Sequence, residues 1–334
     1  DGAPNAPFEV ANKANTFIFA FGGLTLIILM SAISALLWHW RIIPILVNAL
    51  SLLFKKPLNV GGPVGLSATA NVFLGQVEAP LLVRPYLSSM SKNELLVIMT
   101  VGMSTIAGSV MVIYTTMLSS IYGSGLIGHF LTASLISVPA GIMFANILIP
   151  SETKTDFPED NSTKMYSSTM DALTKGTQSG IDIFLNVAAM LIVIMALVFL
   201  ANQILGIFPN ILGEPLTMER VVGWIFAPLA WCMGIPWSES QIAGELLGVK
   251  TILNEFVAYL YLSDTSSYPL SEKSFLIMLY ALCGFANFSS VGILLSGISA
   301  MVPERRKDII AVSFKALWAA LLASCMTGFV VGIL

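Results

Sequence analysis

Gly75-Gln76-Val77-Glu78-Ala79-Pro80 decides how this chain is read. It sets a primary amide and a carboxylate between two short, weakly apolar arms, residues 62–74 and 81–87. Neither arm approaches the roughly 20 residues that a helix needs to cross a bilayer. At membrane depth such polar groups are costly unless they are buried in protein or face a wet cavity. A glycine before the acid and a proline after it suit a chain that enters, turns and leaves on the same side. The stretch is therefore expected to be the tip of a re-entrant hairpin that presents Gln76 and Glu78 to a substrate. The plainer alternative is a soluble-type loop between two helices.

Over 334 residues the chain is 56% hydrophobic and 10% charged, with a mean hydropathy of +0.84. Soluble domains carry about 25% charged residues, so this is an integral membrane protein. The net charge of −3 and the lack of a dense Lys/Arg cluster exclude a nucleic acid polymer as partner. Cys232, Cys283 and Cys325 lie in apolar stretches without metal-ligand spacing and are expected to be small core residues. His39 and His129, near the ends of apolar segments, are expected at the interface. There is no HExxH or GxSxG pattern, which disfavours an intramembrane enzyme, and a pure channel would not need two acid-bearing hairpins. No signal-peptide pattern is visible. The chain begins at Asp1 rather than Met, so upstream sequence is expected to have been lost or processed.

Taken outward from the hairpin, residues 1–14 read as an external tail and 16–38 as the first span. Arg41, Asn48, Ser51 and Lys55 share one face of a segment (41–56) expected to lie along the cytoplasmic surface. Ser91 and Glu94 form a capping box ahead of a span over 95–118. That span carries Gly102, Ser104, Thr105, Gly108 and Ser109, which mark either close helix packing or a broken helix; alone, it favours packing. A span over 126–150 follows, with Pro139 and Gly141 expected to kink it. Residues 151–179 form a polar cytoplasmic loop or short surface helix, in which the Asn161 sequon is without meaning. Residues 180–208 span again, and 209–220 lie outside. Residues 221–234 are apolar but short, and Ser238 to Gln241 read as a second capping box in which Glu239 serves a helix N-terminus. The next arm carries Gly244, Gly248 and Lys250 and ends at Asn254-Glu255-Phe256, a second hairpin. A span over 273–301 is interrupted by Asn287, Ser289 and Ser290, and 309–334 closes the chain. Arg305, Arg306 and Lys307 place the last turn inside, and Arg41, Lys55, Arg84 and Lys92 then fall inside too.

Two units share one order: hairpin, interrupted span, span, over 57–150 and again over 221–334. Glu78 pairs with Glu255, Gly102 with Gly284, and Thr105 with Asn287. The intervening spans make the second unit enter from the opposite side. The expected fold is thus an all-α membrane protein, an inverted repeat with about six spanning helices and two hairpins. Inverted repeats with discontinuous helices meeting at mid-membrane are the construction of secondary transporters. Two carboxylates at one site favour a neutral, hydroxyl-rich ligand over an acidic one. The alternative for each acid is a packing salt bridge, Glu78 with Arg84 and Glu255 with Lys250. For Asn287 and Ser290 it is interhelical hydrogen bonding.

At these residues the sequence resembles the concentrative nucleoside transporter family, in its bacterial, sodium-coupled type. Gly75-Gln-Val-Glu-Ala-Pro80 is similar to the first-hairpin signature, which usually has a hydroxyl residue where Val77 stands. Asn254-Glu-Phe-Val-Ala-Tyr259 and Gly284-Phe-Ala-Asn-Phe-Ser-Ser290 are similar to the second-hairpin and seventh-span signatures. The resemblance covers roughly residues 15–334 and lacks the usual first two spans. It implies nucleoside uptake by an elevator-type homotrimer in the bacterial inner membrane, with the spans at 15–40 and 180–208 as scaffold. It also implies that Gln76, Val77 and Glu78 meet the base, with Val110 and Phe285 packed on it, and that Glu255, Asn287 and Ser290 bind the ribose. A sodium ion would be held by Asn71, the carbonyls of Leu74 and Ile106, and the hydroxyl and carbonyl of Thr105. Proton-coupled relatives tend to lack the asparagine at Asn71; a proton-coupled carrier is the alternative. The departure at Val77 bears on which bases are accepted.

Overall fold

The computed structural model describes residues 25–43, 45, 62–151, 155, 166–211, 213 and 215–334. The expected tail, most of the 41–56 surface helix and the Asn161 sequon lie outside the described residues. Among those described the regular structure is helical: α1 (Thr25–His39), α2 (Gly62–Ala70), α3 (Glu78–Leu81), α4 (Lys92–Ser104), α5 (Gly108–Tyr122), α6 (Leu126–Leu148), α7 (Thr169–Leu205), α8 (Met218–Cys232), α9 (Trp237–Ile252), α10 (Glu255–Ser263), α11 (Glu272–Ala281), α12 (Phe288–Met301) and α13 (Arg306–Ile333).

The first repeat is a hairpin, α2 and α3 around the tip at 71–77, then α4 and α5 in line, then α6. The Ser91 box forms as expected. The Ser91 hydroxyl accepts from the Glu94 amide at 3.2 Å, and the Glu94 carboxylate accepts from the Ser91 amide at 2.8 Å. The small-residue row in the following span both packs and breaks. Thr105, Ile106 and Ala107 leave the helix, so the span is interrupted, the order read from the repeat, and not only packed, the reading favoured for the span alone. Gly102 and Gly141 do pack: a Cβ on Gly102 would stand 3.4 Å from Gln76 Cβ, and one on Gly141 would stand 3.1 Å from Ser104 Oγ.

The second repeat follows the same order: α9 and α10 form the hairpin around Leu253 and Asn254, α11 and α12 the interrupted span, and α13 the closing span. α8 turns back on α9 through 119°. Gly223, Gly244 and Gly248 lie where these two helices touch, leaving no room for a side chain. The arm's glycines thus serve a helix contact. The Ser238 box does not form, because α9 starts at Trp237 after Pro236 with no side-chain cap. Glu239 serves a different N-terminus, accepting from the amide and hydroxyl of Ser271, the N-cap of α11, at 3.2 and 3.0 Å.

Helices over 92–119, Leu126–Leu148 and 303–333 are each long and apolar enough to cross a membrane. The expected span at 273–301 is delivered in two halves. α7, 37 residues and therefore about 55 Å long, exceeds the roughly 30 Å hydrocarbon core and begins inside the stretch read as a loop. Ser168 starts it by accepting from the Asp171 amide at 3.1 Å. Asp171 in turn accepts from the Ser167 amide and from Lys175, which hold its carboxyl below the usual range. One smaller expectation changes: Cys232 is exposed while Cys283 and Cys325 are buried. His129, in the first turn of α6, is half-buried between two phenols, at 2.9 Å from Tyr280 Oη and 3.4 Å from Tyr122 Oη.

α13 runs through the centre, against α4, α6, α11 and α12. α1 lies along α7, and glycines set their distance: a Cβ on Gly176 would stand 2.6 Å from Ala35 Cβ, and one on Gly180 2.6 Å from Ile28 Cα. Arg305 joins the two repeats at one end. It donates to the carbonyls of Ser88 and Met90, each at 2.7 Å, and to Asp308 at 2.8 Å, while Lys92 reaches Asp308 at 3.2 Å. At the start of α4, Glu94 also accepts from the amide and hydroxyl of Thr155. The segments near 88–92, 155 and 305–308 therefore gather at one end of the bundle. A leucine at Gly180 has no space against the α1 backbone, and Gly180→Leu should destabilise the protein by about 1–3 kcal/mol; a lowered unfolding midpoint in detergent checks this.

Candidate functional site

The two helix breaks touch each other, and each hairpin tip reaches the break of its own repeat. The Phe285 amide, in the second break, donates to the Thr105 carbonyl, in the first, at 3.4 Å. Gly284, at φ +156, lies flat on the first break, where a Cβ would stand 2.8 Å from the Ser104 carbonyl oxygen. The first hairpin reaches the first break through the Gly108 amide, which donates to the Phe73 carbonyl at 3.1 Å. It reaches α12 through Val77, which fills the notch left by Gly297: a Cβ there would stand 2.7 Å from Val77 Cγ1. The valine found in place of a hydroxyl residue is thus a packing contact.

The second hairpin starts α10 with Asn254 as N-cap, its amide oxygen accepting from the Val257 N–H at 2.9 Å. Glu255 then falls in the first turn, where a helix N-terminus favours negative charge. One carboxylate oxygen accepts from Tyr114 Oη at 2.8 Å and the other from Asn287 Nδ2 at 2.9 Å. Asn287 also caps α12, accepting from the Ser290 amide at 2.8 Å. Glu255, Asn287 and Ser290 therefore form one connected group. Tyr114, on α5, was not singled out from the sequence. A lone tyrosine in an apolar run signals a buried hydroxyl needing a partner, but not which partner.

Neither salt bridge weighed as an alternative forms among the described residues. Glu78 folds back on its own tip, accepting from the Gly75 amide at 3.1 Å, and Arg84 is exposed. Lys250, fully buried, donates instead to the Ala281 carbonyl at 2.8 Å.

Of the expected substrate residues Val77, Glu78, Val110 and Phe285 are partly exposed and Gln76, Glu255, Asn287 and Ser290 are buried; the expected ion set, Asn71, Leu74, Thr105 and Ile106, is buried throughout. In the ion set the Asn71 amide donates to the Ser67 carbonyl at 3.1 Å, leaving its Oδ1 buried without a partner. The Thr105 hydroxyl donates to the Val101 carbonyl at 3.0 Å, which leaves its lone pairs free to face a cation. Gln76, 8% exposed, likewise has an unpartnered Oε1. Buried polar atoms are nearly always paired, so each exception calls for a partner; Ser67, Thr100, Ser137, Ser289 and Ser299 have hydroxyls in the same state. The chemistry of the ion set, an amide oxygen, a hydroxyl and carbonyls, fits a hard monovalent cation.

Comparison with known proteins bears on the whole chain. The family described as Na+ dependent nucleoside transporter C-terminus matches residues 129–332, and the one described as nucleoside recognition matches 20–121. The nucleoside permease NupC of Helicobacter pylori is 35% identical over 99% of this chain and 78% of its own length. Human solute carrier family 28 member 3 is also 35% identical, over 98% of this chain and 50% of its own. Among solved structures, CNTnw in an inward-facing substrate-bound state superposes with a TM-score of 0.86 at 36% identity, covering 95% of this chain and 75% of that one. The relatives are transporters, not enzymes. This chain belongs to the concentrative nucleoside transporter family.

Proposed function

We infer that the chain carries out sodium-coupled nucleoside uptake, with alternating access by an elevator-type movement of the hairpins and broken helices against α1 and α7. The observation that carries the sodium assignment is the buried, unpartnered Oδ1 of Asn71. Asn71, Thr105 and the carbonyls of Leu74 and Ile106 would hold the ion. A relative of the chain, from rat, is a sodium/nucleoside cotransporter, 31% identical over 95% of this chain and 51% of its own length. Moving one positive charge inward is worth about 2.3 kcal/mol per 100 mV, enough to concentrate a neutral solute roughly fifty-fold.

For the nucleoside, the partly exposed Glu78 and the buried Gln76 supply polar groups for the base, and Val77, Val110 and Phe285 supply apolar contact. Glu255, held by Tyr114 and Asn287, would accept from ribose hydroxyls, with Ser290 beside it. Binding exchanges existing hydrogen bonds for ligand ones, so the site suits a guest rich in O–H groups. The transport unit is taken to comprise both repeats (57–150 and 221–334), with 15–40 and 180–208 as scaffold. The assembly is a homotrimer in a bacterial inner membrane, with the clustered basic residues near 84–92 and 305–307 on the cytoplasmic side.

The deciding experiment is uridine uptake into proteoliposomes under a sodium gradient, a proton gradient or neither; sodium-driven accumulation is expected, and proton-driven accumulation alone would overturn the ion assignment. Glu255→Gln is expected to abolish uptake while leaving assembly intact, read by transport assay and size-exclusion chromatography. Tyr114→Phe removes one donor from a buried carboxylate and should lower stability by about 1–3 kcal/mol, measured by thermal unfolding. Asn71→Ser should raise the sodium concentration giving half-maximal uptake, with little change in the concentration of uridine that saturates.

A further inference from the structure

The two repeats present the same feature twice: the C-terminal end of a hairpin arm beside the C-terminal end of a half-span. In the first repeat these are the ends of α2 at Ala70 and α4 at Ser104, with Asn71 and Thr105 immediately after them, and neither last turn carries a basic residue. In the second they are the ends of α9 at Ile252 and α11 at Ala281. Helix C-termini expose unpaired carbonyls and a partial negative charge, so each such junction calls for donors or a cation. The second junction is filled from within. Lys250, in the last turn of α9, places its ammonium 2.8 Å from the Ala281 carbonyl. Tyr259 Oη donates to the Leu279 carbonyl at 2.7 Å, and Thr327 Oγ1 to the Tyr280 carbonyl at 3.1 Å. Lys250 is 0% exposed and has no ion pair among the described residues. A buried ammonium without a direct ion pair is costly; Glu255 acts on it electrostatically, but that carboxylate is hydrogen-bonded to Tyr114 and Asn287 instead. A hydroxyl suffices for the neighbouring carbonyl, so capping alone does not explain a lysine.

We propose that Lys250 is a tethered cation, occupying in the second repeat the position that a free cation takes in the first, so that each protomer has one mobile ion site rather than two. The proposal rests on the sodium reading of the first junction. Its charge stays with the protein through the cycle, and only the ion at Asn71 and Thr105 is exchanged.

The test is sodium-dependent uridine uptake in proteoliposomes by Lys250→Ala, Lys250→Met and wild type, with ethylammonium as the added probe. The wild type should show a Hill coefficient for sodium of about one. Lys250→Ala should fall at least roughly tenfold in uptake at the sodium level that saturates the wild type, the factor expected for one lost charge-assisted hydrogen bond. It should recover with ethylammonium, or with raised sodium and a Hill coefficient moving toward about two. Lys250→Met, which fills the space without a charge, should stay impaired and unresponsive to either. Wild-type uptake by Lys250→Met would overturn the proposal, and so would a loss in Lys250→Ala that no cation repairs. If Lys250→Ala is unstable in detergent, a rise in its thermal midpoint on adding ethylammonium would support the tethered cation, and an unmoved midpoint would overturn it. Sodium-independent uptake by the wild type would sink the ion assignment at Asn71 by itself, while ethylammonium rescue would still report on the second junction.

Discussion

Every helix that stops inside a membrane strands backbone carbonyls and amides where water cannot reach them, and this chain stops helices there four times: at two hairpin tips and two mid-span breaks. The fold answers by making the stranded groups satisfy one another. Phe285 donates across to Thr105, and Gly108 to Phe73. Asn254 and Asn287 cap the helices that restart. The breaks therefore cannot exist singly, and a site at their meeting point follows from the same hydrogen-bond accounting that lets the helices break at all.

Polar groups that remain after this mutual satisfaction are the informative ones. Ser67 Oγ, Asn71 Oδ1 and Gln76 Oε1 are left over on the first hairpin, the last next in sequence to the partly exposed Val77. The two glutamates are handled unequally. Glu255 is held by side chains from two other elements, whereas among the described residues Glu78 is held by its own tip. The asymmetry suits a site in which one end grips and the other discriminates.

The sequence displayed its breaks because breaking a membrane helix takes residues that stand out against an apolar background: the Gly75 tip, the Asn254-Glu255 pair and Asn287 are all visible in that way. The Ser91 box is equally local, since both partners lie within four residues. Long-range partners are a different matter. Tyr114 and Glu255 are 141 positions apart, and nothing near either names the other. Lys250 lies five residues from Glu255, which invites a local ion pair, yet one helical turn and a break send the two side chains to different neighbours. Gly244 and Gly248 resemble loop-formers in isolation and become contact points only once α8 lies across them. The start of α7 was hidden because a polar, solvent-facing helix has no apolar signature until it meets α1. Gly176 and Gly180, which contact α1, have the four-residue spacing of a small-residue helix contact, but that spacing speaks only once the polar stretch around it is read as helix.

Arg305 sits at the root of the first hairpin, fastening the carbonyls of Ser88 and Met90 to the turn that begins α13. A finger pinned at the knuckle can bend only at its tip. On the transport reading proposed above, a movement confined to the Gly75–Glu78 end leaves this fastening intact, whereas a displacement of the whole hairpin takes α13 along with it.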